Sequence, residues 1–450
     1  MVIDRSVAPP SQPIRQIDLI EAKTHHLSNG VPAHSIQAGK QPILGIEIIF
    51  RQGGIKHELQ DAACFFTLKM LGEGTHHRSA YQVSNLVDSL GSYLRLSPGT
   101  DRSSVEVYML SKHADVLLGL LREILTEPAF PEAELAQLKA RQKQQIRVSN
   151  EKSNVVASRQ MKTILFGEQA YGKSLTESST EAISQLDLVD FHKKNLRTSW
   201  EVILSGDVTK EVKALVERHL GDILIATTYA SEPPGRLAFL PTSKGNLVER
   251  ADSLQSSIRL GRPLFKKDHP DYHATRVLNT ILGGYFGSRL MRNIREEKGL
   301  TYGISSGVIT LEDAGYLVIG TDVKKESTQL ALDEIYREIE RLRNHRVGTV
   351  ELNTVTNYLA GRLLNSINTS FALAEKFKNI YSYGLTYDFY QNYLKTLDSI
   401  TSERIQAVAY QHLDPDQISE VIVGGTPRPF YCPFCICIWP CSRTRRRDDD

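Results

Sequence analysis

Cysteine is nearly missing from the body of this 450-residue chain: four of the five, Cys432, Cys435, Cys437 and Cys441, crowd toward the C-terminus and leave Cys64 alone. A disulfide framework is thereby excluded as the device that holds the fold. The terminal spacing, Cys-x-x-Cys-x-Cys-x-x-x-Cys, suits zinc or an iron-sulfur cluster only where a folded module orients the thiolates, and no such module is recognisable around it. Also missing is any apolar run of about eighteen residues, the length that spans a bilayer. The N-terminus, Met1-Val-Ile-Asp-Arg5, lacks the charged-then-apolar layout of a secretory signal. The expectation is a soluble protein, cytoplasmic as written and periplasmic if a leader has been removed. Net charge is scarce too, since 54 basic residues nearly balance 52 acidic ones to give +2. That leaves no electrostatic footprint for nucleic acid or a membrane surface, and neither is expected as a partner.

What is present is ordinary globular composition, 41% hydrophobic and 24% charged, in a chain too long for one hydrophobic core. The Pro-, Gly- and Ser-rich stretch 227–245 reads as a linker between a domain at 1–226 and a second at 246–424, with an atypical Cys/Arg/Asp tail at 425–450. Period-2 patterning marks strands at Ile43–Phe50, Ser103–Leu110, Ser256–Leu260 and Gly315–Asp322. Helical periodicity marks 57–72, Tyr81–Leu90, Ala114–Leu125, Glu132–Val148, a segment capped by Asp268 and running through Ile281, Glu326–Asn344 and Thr349–Leu364. The similar order of elements in the two halves suggests a weak internal duplication. Strands mixed with paired helices suggest the α+β class, with helices packed on a mainly antiparallel sheet in each half.

Residues 62–78, Ala-Ala-Cys-Phe-Phe-Thr-Leu-Lys-Met-Leu-Gly-Glu-Gly-Thr-His-His-Arg, carry the sharpest signal. They resemble the zinc helix of the pitrilysin and mitochondrial-processing-peptidase family, in which His-x-x-Glu-His runs into Met-Leu-x-x-Gly-Thr. Residues four apart share a helix face, which is why two imidazoles at that spacing reach one metal. Counting back from Gly74-Thr75, the matching positions are Phe65, Leu68 and Lys69. Phe has no lone pair, Lys is cationic, and Leu cannot take a proton from water. The family's third ligand, a Glu on a later helix, matches Gln145, which falls near the Leu135, Leu138 and Gln142 stripe and is expected to point inward. An amide there adds no negative charge for zinc. The competing reading is a plain amphipathic core helix.

The second segment, Asn279 to Gly307, includes Ile281-Leu-Gly-Gly, Ser288-Arg-Leu and Ile294-Arg-Glu-Glu-Lys-Gly-Leu-Thr-Tyr302, and is similar to the signature of that family's second domain. Ser288 is expected to cap a short helix, Gly299 to end it in the left-handed region, and a strand to begin at Thr301. The resemblance implies that Arg295 and Tyr302 hold a bound peptide or its developing oxyanion. Against this stand a surface ion pair for Arg295 and a half-buried strand aromatic for Tyr302. Arg289 and Arg292 read as solvated or structural, since Arg292 can pair with Glu296 four residues on. Two other histidine pairs are poor metal sites: His269 and His273 flank a helix start, and His76-His77 are adjacent on a turn.

Over residues 15–424 the resemblance implies two homologous LuxS/MPP-like metallohydrolase domains forming a clamshell. It implies a non-catalytic subunit without a cofactor of its own, zinc being carried by a catalytic partner subunit of the same family; a homodimer is the other assembly. The substrate would be an extended peptide adding a strand to a sheet edge. Two further readings stay open: a stand-alone peptide-binding or assembly protein of the same fold, and a zinc-dependent hydrolase with a relocated site.

Overall fold

The computed structural model describes residue 14 and residues 16–226 and 239–424; most of the expected linker and the Cys/Arg/Asp tail lie outside these. The first half builds a six-stranded sheet from β1 (Lys23–His26), β2 (Pro32–Gln37), β3 (Ile43–Phe50), β4 (Tyr93–Ser97), β5 (Ser103–Leu110) and β6 (Trp200–Gly206), in the order β1-β2-β6-β3-β5-β4. The second half builds a five-stranded sheet from β7 (Asn246–Val248), β8 (Gln255–Leu264), β9 (Ile304–Thr310), β10 (Gly315–Lys324) and β11 (Ser419–Val423), in the order β7-β11-β8-β10-β9.

The duplication expected from sequence is plain in the pairing. In the first sheet β2 runs parallel to β6, and β6-β3-β5-β4 are antiparallel throughout. In the second, β7 runs parallel to β11, and β11-β8-β10-β9 repeat the antiparallel series. One parallel pair in an otherwise antiparallel sheet, with helices on its faces, is the α+β arrangement the patterning indicated.

The first-half helices are α1 (Ala63–Met70), α2 (Ala80–Ser89), α3 (Ala114–Thr126), α4 (Glu132–Glu151), α5 (Ser153–Phe166), α6 (Glu177–Ala182), α7 (Gln185–Phe191) and α8 (Lys210–Leu220). The second half has α9 (Tyr272–Asn279), α10 (Thr328–Asn344), α11 (Thr349–Asn365), α12 (Ser370–Tyr381), α13 (Asp388–Ser399) and α14 (Ser402–His412). One apolar core lies between the first sheet and residues of α1, α2, α3, α7 and α8. A second lies between the other sheet and α9, α10, α11, α13 and α14.

The opposite face of each sheet is covered by a helix from the other half. Leu373, Ala374 and Phe377 of α12 bury Ile36, Ile49 and Ile203 of the first sheet. Ala157, Met161 and Leu165 of α5 bury Tyr316, Val421 and Val423 of the second. Two glycines permit the close approach. A Cβ on Gly45 of β3 would lie 3.0 Å from the Phe371 ring, and one on Gly261 of β8 would lie 2.6 Å from Met161 Sδ.

Several helix boundaries differ from the expectation. The segment 57–72 is a 3₁₀ turn at Ile55–His57 followed by the short α1, because Ala62 takes a left-handed φ of 78° and breaks the run. The helix expected from Asp268 begins at Tyr272 and ends in a π-helical turn, Thr280–Gly284. Ser288 Oγ has no hydrogen-bond partner and caps nothing; Met291–Glu297 is another π-helical turn, and Gly299, at φ 62°, ends it as expected. The strand expected at Thr301 starts at Ile304.

Candidate functional site

Helix α1 has no side-chain N-cap of its own. Its first amides are held instead by Glu58, whose carboxylate accepts from the backbone N–H groups of Ala62 (3.3 Å) and Cys64 (3.0 Å). Burial raises the Glu58 carboxyl to about 7, against the opposing pull of these two bonds. Cys64 is buried, its Sγ 3.2 Å from Gly53 O, and burial lifts its thiol to about 12; it is a packed side chain without thiolate character.

The three positions that would carry zinc chemistry have separate fates. Leu68 is fully buried in the first core. Phe65 packs edge-on against Phe66, centroids 5.2 Å apart, and lines a cavity of about 430 Å³ with Ile55, Glu58, Arg159, Lys173 and Leu175. Lys69 turns to the sheet, where its Nζ donates to the Leu96 carbonyl of β4 at 2.8 Å; burial and the nearby Arg95 lower its pKa. The inward expectation for Gln145 is wrong: it is exposed, and Leu135 and Ile146 are the buried residues of α4. Ile146 follows Leu135 by about three turns and so completes the inner stripe. A zinc ion does not fit the donor set at 65, 68, 69 and 145. Among the described residues no group of three or more His, Cys, Asp and Glu is placed to hold a metal.

The second half explains what Lys69 does. Arg95, Glu106, Glu47 and Ile203 form one cross-strand row, and Ser305, Gly320, Arg259 and Val421 form its counterpart. One residue further on, Leu96 of β4 therefore matches Ser306 of β9. The Ser306 carbonyl accepts from Asn279 Nδ2 at 3.3 Å, and the contacts Lys69–Leu96 and Asn279–Ser306 each span 27 residues. Lys69 and Asn279 are thus equivalent caps on equivalent edge strands. Counting back, Leu68 matches Leu278 and Phe65 matches Thr275, both buried in α9. The π-helical turn after Asn279 inserts the extra residue that blurs this match along the sequence. Asn279 and Glu58 are the residues that sequence reasoning missed. Neither belongs to a catalytic spacing, and the only sequence sign of Asn279 is its position in the Leu-Asn-Thr-Ile-Leu-Gly-Gly segment.

Arg295 lies on the π-helical turn Met291–Glu297 with its guanidinium 4.7 Å from the centre of the Phe286 ring, a cation–π contact. Tyr302, just before β9, is 96% exposed, and Phe286 is 65% exposed. Arg289 grips Glu351 through two bonds of 2.9 and 2.8 Å, whereas Arg292 is exposed and, among the described residues, makes no ion pair with Glu296. His269 stacks on Phe265 at 3.9 Å, and His273 is half-buried beside Phe389 and Tyr393, its pKa lowered to about 4 by burial first and Arg276 second. The two rings serve separate packing sites. His77 pairs with Glu127 at 2.7 Å.

Residues 58–179 match the family model described as insulinase (peptidase family M16), and residues 182–359 match the model described as the peptidase M16 inactive domain. A Bacillus subtilis protein named uncharacterized zinc protease YmxG is 22% identical, over 81% of this chain and 89% of its own length. A Helicobacter pylori protein named non-peptidase homolog YmxG is 23% identical, over 85% of this chain and 89% of its own. The crystal structure of a peptidase M16 inactive domain from Pseudomonas fluorescens superposes with a TM-score of 0.81 at 23% identity, covering 90% of this chain and 98% of that one. A protease structure from Helicobacter pylori gives the same TM-score at 16% identity, covering 90% and 100%.

Proposed function

The chain belongs to the peptidase M16 family, and on that footing we propose that it is the non-catalytic subunit of a heterodimeric zinc metallopeptidase. In this reading the chain supplies part of the chamber wall and a peptide-holding pair, Arg295 and Tyr302, while a partner subunit carrying His-x-x-Glu-His supplies the zinc. The observation that carries it is the buried Leu68, flanked by Phe65 and Lys69: a metal-site frame in which no side chain offers a donor or a general base.

Arg295 offers a fork of donors to carbonyl or carboxylate oxygens, and Tyr302 offers one hydroxyl from a fully solvent-facing position. The Phe286 face holds the Arg295 guanidinium by one side and limits the rotamers it must give up on binding. An extended peptide bound this way is held by its main chain, with loose sequence preference.

Co-purification of the tagged chain with a zinc-bearing partner is the first test. In the assembled enzyme, Arg295→Ala and Tyr302→Phe should each lower peptide cleavage, on the order of 10²-fold if the group meets the developing oxyanion, while the subunits still assemble. Unchanged kinetics in both variants reject the role. Stoichiometric zinc and cleavage by the pure chain would reject the non-catalytic reading altogether.

A further inference from the structure

We infer that Lys69 is an edge guard: its ammonium closes β4 against strand addition, so an extended peptide gains that edge only by displacing it. The inference rests on the peptide-holding reading above and specifies how that site is regulated. Strand β4 ends its sheet, and a terminal strand attracts other chains because alternate residues have no strand to pair with on the outer side. An incoming peptide must donate to those carbonyls. The Leu96 carbonyl already accepts from Lys69 Nζ at 2.8 Å, and that bond carries a full charge on its donor.

Lys69 is placed for this by the fold. It stands in the last turn of α1, where the helix carbonyl terminus favours a cation, and it is half-buried between α1 and the sheet. The second half repeats the device in a tighter form. Asn279 caps the Ser306 carbonyl, and Gly283 approaches so closely that a Cβ there would lie 2.7 Å from Ser306 N. At Ser306 the β9 edge is therefore covered on both its acceptor and its donor side, by a short side chain and by backbone.

The β4 edge is covered by one long, flexible side chain that can swing away. Of these two equivalent edges, β4 is the one whose capped carbonyl is freed at the cost of a single side-chain hydrogen bond. In an assembled enzyme the peptide strand accordingly pairs with the partner's sheet, and this chain meets it through side chains.

The test uses the full chain and a fluorescein-labelled peptide of alternating Thr and Val, read by anisotropy. Lys69→Met should bind this peptide about tenfold more tightly than the unsubstituted chain, the equivalent of losing one charged hydrogen bond. Lys69→Arg, which keeps a cationic donor, should bind like the unsubstituted chain. Equal or weaker binding by Lys69→Met overturns the guard. Sedimentation velocity gives a second readout that needs no peptide, because an uncapped edge pairs with a second copy: Lys69→Met should self-associate at concentrations where the unsubstituted chain does not. If no form binds peptide, the guard is decided by that shift in association alone, its absence overturning it, while the peptide-holding reading is decided separately by cleavage in the assembled enzyme. Lys69→Leu, which like Met has no donor, replaces Lys69→Met should the latter not fold, with the same expectations and the same overturning results.

Discussion

Leu68 holds the first core together at the position where a general base would be required, so metal chemistry cannot return there without a cost in stability. A carboxylate at 68 would be surrounded by apolar side chains with no cation beside it. Leu68→Glu is expected to destabilise the chain by about 3–5 kcal/mol, the usual penalty for an uncompensated buried charge, measured by urea unfolding. A change below about 1 kcal/mol would mean that the position opens to solvent. Glu58 sets the stability of the same helix in a pH-dependent way. Its folded-state carboxyl is raised to about 7 from 4.5, so the folded chain binds the proton more tightly than the unfolded one. The resulting contribution is fully present below pH 4.5 and is lost as pH rises through 7. Glu58→Gln should remove that decline from the unfolding free energy measured across the interval. A slope as steep in the variant as in the parent would place the titrating group elsewhere.

Helices α5 and α12 are the elements that make two similar halves into one body. Each follows two helices after its sheet's β-hairpin, and each buries the open face of the other half's sheet. Phe377 of α12 is 7% exposed and packs on His34 of β2 at 4.8 Å. Phe377→Ala is expected to cost about 3–5 kcal/mol. Although the residue belongs to the second half, the loss should appear as faster hydrogen exchange in β2, β3 and β6. Exchange confined to α12 would show that the helix merely rests on the sheet.

This exchange of helices is what sequence patterning could not supply. Ile43–Phe50 and Ser103–Leu110 were legible to the residue, because their alternation records a face buried within the same half. The apolar stripe of α5, at Ala157, Met161 and Leu165, answers to strands far along the chain, and its sequence says only that a partner exists. The π-helical turns also escape a search tuned to the α-helical period. At the candidate site, the lost donors at 65, 68 and 69 could be read by spacing from Gly74-Thr75. The phase error at Gln145 arose because one residue on a helix turns a side chain by about 100°, and the second edge cap, Asn279, needed the strand register to be seen.

At the scale of the whole molecule, the two halves are joined by apolar burial and by an ionic lock. The β9–β10 hairpin enters the first half, where Lys56 Nζ lies 2.7 Å from Glu312, 3.3 Å from Asp313 and 3.4 Å from Asp101. Arg102 binds Glu312 as well, and reaches Glu201 and the Ser382 carbonyl. Tyr171 OH donates to Asp101 at 2.5 Å and accepts from Asp313 N at 3.2 Å. Removing either half therefore exposes one apolar sheet face and leaves part-buried charges without partners, two faults that compound each other. Residues 1–226 expressed alone would uncover Ile36, Ile49 and Ile203, and residues 239–450 alone would uncover Tyr316, Val421 and Val423. Both fragments are expected to aggregate when made separately and to co-purify as a one-to-one complex when made together, since each brings the helix the other lacks. The measurement is soluble yield and a single cooperative melt for the co-expressed pair. A soluble first half that unfolds cooperatively by itself would show that α12 is dispensable to its sheet, and the two halves would then be neighbours joined by a linker.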